Sequence, residues 1–278
     1  MATCQYGAAR LTLRQGLLAG IRAHAYIAPM SNPEEPRKER IAKIMARAGL
    51  CSRREAERWI AAGRVRLNGK LLDTPAVTVG ESDEVIVDGK PLPGRERTRL
   101  WRYHKPAGLV TSHSDEQGRL TVFDKMPADM PRVVSVGRLD LTSEGLLLMT
   151  NDGELARKLE LPSTGWNRRY RVRVYGNVEE KRLQSLTRGI TVDGVRYGPI
   201  KAVIDNEEEK RKANTWLLVT LSEGKNREIR KVLAHLGLDV NRLIRTAYGP
   251  FQLGKLQRGG IEEVKGKVIR EQVAGVLK

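Results

Sequence analysis

The chain is poor in cysteine, histidine and aromatic residues, and it lacks long apolar runs. Two cysteines in 278 residues, Cys4 and Cys51, cannot build a disulfide framework or a cysteine-bound zinc cluster. So little cysteine fits a reducing, cytoplasmic compartment. Four histidines, His24, His104, His113 and His235, are scattered without ligand spacing, so no metal site is expected. No apolar stretch approaches the ~20 residues that cross a bilayer, and no lipidation signal accompanies the chain, so no membrane partner is expected. The G-x-x-x-x-G-K-[ST] phosphate loop, a G-x-G-x-x-G turn after a strand, the H-E-x-x-H zinc motif and the G-x-S-x-G elbow are all missing. Nucleotide-driven, dinucleotide-dependent, zinc-hydrolytic and serine-hydrolytic chemistries are thereby disfavoured, and no cofactor is implied.

Positive charge is what the chain has in excess. Fifty Lys and Arg face 33 Asp and Glu, a formal net charge of +17. A surplus of that size attracts polyanions, of which nucleic acid is the commonest for a soluble protein. Residues 1–36 differ from the rest: no acidic residue precedes Glu34, and Arg10, Arg14 and Arg22 interrupt Ala/Leu-rich sequence. They read as a mobile leader, or as the product of an upstream start, because Met30 opens a polar stretch that would begin a protein equally well.

Residues 37–90 read as a small basic module. In KERIAKIMARAG, Ile41, Ile44, Met45 and Ala48 fall on one helical face, with Gly49 placed for a left-handed cap. CSRREAERWIAAG begins with the S-x-x-E capping pattern of Ser52 and Glu55, and Ala56, Trp59 and Ile60 form its apolar face. RVRLNGKLL then alternates, Val65 and Leu67 to one side and Arg64 and Arg66 to the other, and Asn68-Gly69 marks a hairpin. EVIVDGK supplies a further strand and turn. Residues 37–70 carry eleven Lys or Arg against three Glu. A solvated face is the ordinary reading of such a run. Arg53 and Arg54 at a helix start, with Arg64 and Arg66 on one strand face, are better grouped for phosphate contact. PLPGRERTR, 91–99, has the composition of a linker.

From residue 100 to 278 the pattern becomes longer strands mixed with helices, an α+β domain with a largely antiparallel sheet. RRYRVRVYG (168–176) alternates strictly, TWLLVTLSEG (215–224) reads as a buried strand, and VEEKRLQSLTRG (178–189) and NREIRKVLAHLG (226–237) read as amphipathic helices. One carboxylate stands out. In GRLDLTSEGLLLMTNDG, Asp140 lies between the apolar stretches VVSV and LLLM. A lone Asp in a turn is usually a cap or an Asx turn. Between buried segments it needs a cationic or hydrogen-bonding partner to keep its charge, and it could then serve as nucleophile or base. The residues alone leave both readings open.

Longer stretches bring a resemblance. ERIAKIMARAGLCSRREAERWIAAGRVRLNGK resembles the S4 (αL-type) RNA-binding domain. VGRLDLTSEGLLLMTNDGELARKL, with YHKPAGLVTS before it and EGKNREIRKVLAHLGLDVNRLIRTAYGPFQLGKL after it, resembles the pseudouridine synthases of the RsuA/RluB group, most closely the large-subunit rRNA branch. The likeness runs over residues 38–265 or so. It implies an S4 domain at 37–90, a linker at 91–99 and a catalytic domain at 100–278 whose mainly antiparallel mixed sheet is flanked by helices. It implies a cytoplasmic, monomeric isomerase that works without cofactor or metal on ribosomal RNA, 23S in particular, free or within an assembling large-subunit particle.

The resemblance also implies roles. Asp140 falls on the catalytic aspartate and Tyr170 on the strand tyrosine that stacks on the target base. Arg230 falls on the basic partner of the aspartate, with Ile229 as the packing residue beside it. Arg138 matches an arginine implicated in displacing the flipped base, and Lys105 and Pro106 belong to a mainly structural first motif, with Lys105 placed among the substrate- and RNA-contacting residues. Arg168 stands where lysine is common, which retains the charge. Without the family match, Tyr170 could equally be a core aromatic, Arg230 an exposed helix residue and Arg138 a strand cap. Two other functions compete with this one: a non-catalytic S4 factor that holds ribosomal RNA, and another base-flipping enzyme such as a glycosylase or methyltransferase. The latter would need a methyl-donor glycine loop or would leave an abasic product.

Overall fold

The computed structural model describes residues 38–205 and 214–277; the leader of residues 1–36 lies outside them. No helix among the described residues is long and apolar enough to cross a membrane.

The N-terminal part is two helices on a small sheet. α1 (Ile41–Arg47) buries Ile41, Ala42 and Met45. α2 (Arg53–Ala61) starts at the expected capping box, Glu55 N donating to Ser52 Oγ over 3.1 Å and Ser52 N to Glu55 Oε2 over 3.2 Å. Strands β1 (Val65–Leu67), β2 (Lys70–Leu71), β3 (Val85–Val87) and β4 (Lys90–Pro91) pair in the order β2-β1-β3-β4. The two hairpins turn at Asn68-Gly69 and Asp88-Gly89, where both residues of each pair have positive φ, as a type I′ turn requires. Ile41, Met45, Ala56, Ile60, Val65 and Val87 close one core with Cys51, whose thiol burial pushes up to about 11. Trp59 packs against that core, half buried, under the Arg64 guanidinium at 4.3 Å. Lys43 and Arg47 of α1 bridge Glu39 and Glu154, a residue of the larger domain, with Arg47 3.1 Å from Glu154.

The larger part is built on a nine-stranded sheet. Its strands are β5 (Leu100–Lys105), β6 (Val134–Val136), β7 (Ser143–Thr150), β8 (Arg168–Tyr175), β9 (Ile200–Ile204), β10 (Asn214–Leu221), β11 (Asp239–Tyr248), β12 (Phe251–Gln252) and β13 (Ile261–Glu263). The order is β9-β10-β8-β11-β7-β5-β13, with β6 on β7 and β12 on β11. β7 and β11 run parallel, and the other strand pairs of this sheet are antiparallel. α3 (Gly153–Glu160), α4 (Glu180–Ser185), α5 (Glu228–His235) and α6 (Gly266–Leu277) flank it.

β7 is buried along its whole length because it feeds two cores. Leu147 and Met149 join the core that holds Tyr170, Val172, Leu217 and Ile229, while Leu146 and Leu148 pack with Leu155 and Leu159 of α3 and with Ile269 and Val273 of α6. β8 alternates as the sequence predicts, with Tyr170, Val172 and Val174 inward. β10 does not stay buried throughout. Leu217, Val219 and Leu221 face the core, but Leu218 is exposed and Trp216 lies under the guanidinium of Arg171 at 4.4 Å. One face of this strand packs and the other carries arginine.

Candidate active site

The turn 137–142 links β6 to β7 and carries Asp140. Gly137, at φ +68°, lets the chain reverse, and its N–H donates to Glu160 Oε1 over 2.7 Å. Every carbonyl from Leu139 to Ser143 is then taken by a donor. Thr111 Oγ1 donates to Leu139 O over 2.8 Å and Lys105 Nζ to Asp140 O over 3.1 Å. Gly108 N donates to Leu141 O over 2.7 Å, Arg230 to Thr142 O over 3.3 Å, and Lys105 Nζ again to Ser143 O over 2.9 Å. Leu139 anchors the turn in the same core as Tyr170 and Ile229. A backbone tied at five successive carbonyls has few alternatives, so the Asp140 side chain is presented in one place. About a third of that side chain remains exposed.

Arg227 Nη1 stands 3.9 Å from Asp140 Oδ2. Arg227 precedes α5 in the left-handed conformation, φ +52°, uncommon for a residue with a side chain. Arg230, expected to pair with the aspartate, does not reach it within ion-pair distance. Its guanidinium donates to Val240 O over 3.0 Å and to Thr142 O over 3.3 Å, and its Nε is buried without a partner. Burial lowers its pKa and the Arg227 charge lowers it further, while the field of Asp140 acts in the opposite direction. Arg230 is thus a half-buried cation behind the turn, and the cation beside the carboxylate is Arg227. The sequence signal for Arg227 was its place in Asn-Arg-Glu at the mouth of a helix; only the fold shows which arginine turns toward residue 140.

The other predicted residues fall into three groups. Tyr170 is buried on β8, opposite Val219 and Arg245, and its hydroxyl has no partner among the described residues. Arg138 is exposed on the turn, also without a partner among them. Lys105, expected among the RNA contacts, is wholly buried and spends its three hydrogens on main-chain carbonyls; it acts on the turn and touches no solvent. In the small module Arg53 and Arg54 are exposed, and Arg66 reaches Gly69 O over 3.1 Å. Arg64 is exposed and pairs with Asp88, Nε to Oδ1 at 2.8 Å and Nη2 to Oδ2 at 2.5 Å. Arg168 is bound to Ser222 O and to the Tyr248 hydroxyl, the latter over 3.1 Å. Glu144, which sequence reasoning missed, is buried and takes Arg242 at 2.8 Å and Arg258 at 3.1 Å. A cavity of about 420 Å³ lies elsewhere, against Arg95, Arg97, Asp152, Lys158 and Arg270, and its lining includes neither Asp140 nor Tyr170.

Comparison with known proteins gives the family. Residues 99–235 match the family described as RNA pseudouridylate synthase, and residues 39–85 match the S4 domain. An RNA pseudouridine synthase of Rickettsia prowazekii is 43% identical over 236 residues, which cover 84% of this chain and 97% of the relative. The ribosomal large subunit pseudouridine synthase B of Yersinia pestis is 41% identical over 233 residues, 81% of this chain and 72% of the relative. A crystal structure of a pseudouridylate synthase superimposes with a TM-score of 0.60 at 25% identity, covering 84% of this chain and 99% of that one. The chain belongs to the RNA pseudouridine synthases, a family of isomerases, and carries an S4 domain ahead of the synthase domain.

Proposed function

We infer that this enzyme converts one uridine of large-subunit (23S) ribosomal RNA to pseudouridine, with Asp140 as the catalytic carboxylate. The observation that carries the reading is the Asp140 turn: five tied carbonyls, a part-exposed carboxylate and an arginine beside it. The names of relatives at 41% identity, ribosomal large subunit pseudouridine synthase B, support the choice of RNA.

In the reaction the N1–C1′ bond breaks, the uracil turns, and C5 bonds to C1′. C5 then loses its proton and N1 gains one. Substrate and product are isomers, so the balance calls for no oxidant, reductant or phosphoryl donor. Asp140 supplies the anion that assists detachment, and Arg230 supplies the positive field behind it. Extruding the nucleotide from its stack costs a few kcal/mol. The Tyr170 ring offers a stacking platform that returns about 1–3 kcal/mol, and exposed Arg138 occupies the space the base leaves. Residues 37–90 hold RNA through Arg53, Arg54 and Arg66, residues 91–99 connect, and residues 100–278 catalyse. The protein works as a cytoplasmic monomer on free rRNA or on an assembling large-subunit particle.

Carbodiimide-dependent reverse-transcription stops, mapped in cells with and without the gene, test this directly. Loss of one stop in 23S rRNA is the expected result. Loss confined to small-subunit or transfer RNA, or no loss, would overturn the assignment of substrate.

A further inference from the structure

Two arginines surround Asp140, and they are held in opposite ways. Arg230 is half-buried and tied to two main-chain carbonyls, Val240 O and Thr142 O. Arg227 has half of its side chain exposed, makes one contact at 3.9 Å, and reaches the site only because its backbone adopts φ +52°. Strained backbone of this kind persists where a site over-determines it. An ion pair so long and so open to solvent is weak and readily exchanged. The incoming substrate is itself an anion, and a phosphate can accept two parallel N–H donors from a guanidinium where Asp140 now accepts one long contact.

We propose that Arg227 is the residue that reads the target nucleotide's phosphate: it rests on Asp140 in the free enzyme and passes to the RNA on binding, leaving the carboxylate to the reaction with Arg230 as its fixed counter-charge. The role rests on the reading of Asp140 as the catalytic group. It differs from that reading in what it predicts for binding. In the free enzyme Asp140 and the RNA compete for one guanidinium, so the two are coupled.

The test is a double-mutant cycle on RNA binding, with in vitro transcribed 23S rRNA as the probe. Arg227→Gly removes the side chain while relieving the left-handed backbone, so its melting temperature should equal or exceed that of the parent. Alone, it should raise KM at least tenfold with kcat lowered less than threefold, and it should reduce the slope of log K against log salt by about 0.7–0.9, the loss of one phosphate contact. Arg227→Lys should recover part of the KM. Asp140→Asn should tighten RNA binding about threefold when Arg227 is present and leave it unchanged when residue 227 is glycine. Arg227→Gly with unaltered KM and salt slope would overturn the proposal, as would a threefold effect of Asp140→Asn that persists without Arg227. Because these are binding measurements, they stand apart from the catalytic reading: turnover retained by Asp140→Asn would remove Asp140 from catalysis and leave the coupling to be read as before.

Discussion

The ammonium of Lys105 donates to the main-chain carbonyl of Asp140 over 3.1 Å, and the same nitrogen reaches Ser143 O at 2.9 Å and Pro106 O at 3.1 Å. Burial pushes the Lys105 pKa down from 10.5 to about 8; the fields of Asp140 and Glu144 work against that shift, and Arg245 adds to it. Three carbonyls need three N–H donors, and a neutral amine has two. Turnover is therefore expected to fall in a one-proton step as pH rises through about 8. Stability should move the other way. Between about 8 and 10.5 the unfolded chain holds the Lys105 proton and the folded one does not, so this group's contribution to stability grows with pH. A pH–rate profile beside melting curves checks both, and turnover flat to pH 10 would contradict the bracing role.

Arg53 and Arg54 stand exposed, whereas Asp88 already holds Arg64. Replacing both Arg53 and Arg54 with Ala should weaken RNA binding and flatten its salt slope by about 1.5, at roughly 0.7–0.9 per lost phosphate contact. Arg64→Ala should alter the slope less and lower the melting temperature more. Filter binding over a potassium chloride series reads the slopes, and equal slopes in parent and double variant would count against this surface.

Gly145 adopts φ +104° where β7 runs beside β11, and a Cβ there would overlap the backbone of Arg245. Gly145→Ala must strain the left-handed backbone and part the parallel pair. A loss of about 2–4 kcal/mol is expected, read by denaturant unfolding. A change below about 1 kcal/mol would show that the strands have room.

Tyr170 presents a ring whose hydroxyl has no partner among the described residues. Tyr170→Phe keeps the stacking face and should retain kcat/KM within about tenfold. Tyr170→Leu fills the core without an aromatic face and should lose about 1–3 kcal/mol of stacking, 5- to 150-fold. Single-turnover assays separate them, and equal behaviour of Phe and Leu would dismiss the platform.

What the sequence made legible was local. The capping box at Ser52, the turns at Asn68 and Asp88 and the inward set of β8 each depend on residues within a few positions, and each forms as its pattern predicts. The candidate carboxylate was singled out at Asp140 by the long motifs around it. What spacing could not convey was which donor meets which acceptor across the sheet. Arg230 meets Thr142 across 88 positions and Lys105 meets Asp140 across 35, so one arginine was expected on the carboxylate and the other residue on RNA. The aspartate's neighbour proved to be Arg227 because an unusual backbone angle turns it there, and no periodicity encodes that. The Arg64 ion pair was hidden for a similar reason: Asp88, 24 residues on, meets the guanidinium that lies over the Trp59 indole.

The most direct measurement is tritium release from [5-³H]uridine-labelled rRNA by Asp140→Asn. The substitution keeps the size of the side chain and removes its charge. Release should stop, with RNA affinity within a few-fold of the parent and the melting temperature unchanged. Continued release at a comparable rate would contradict the assignment of Asp140 as the group on which the isomerisation depends.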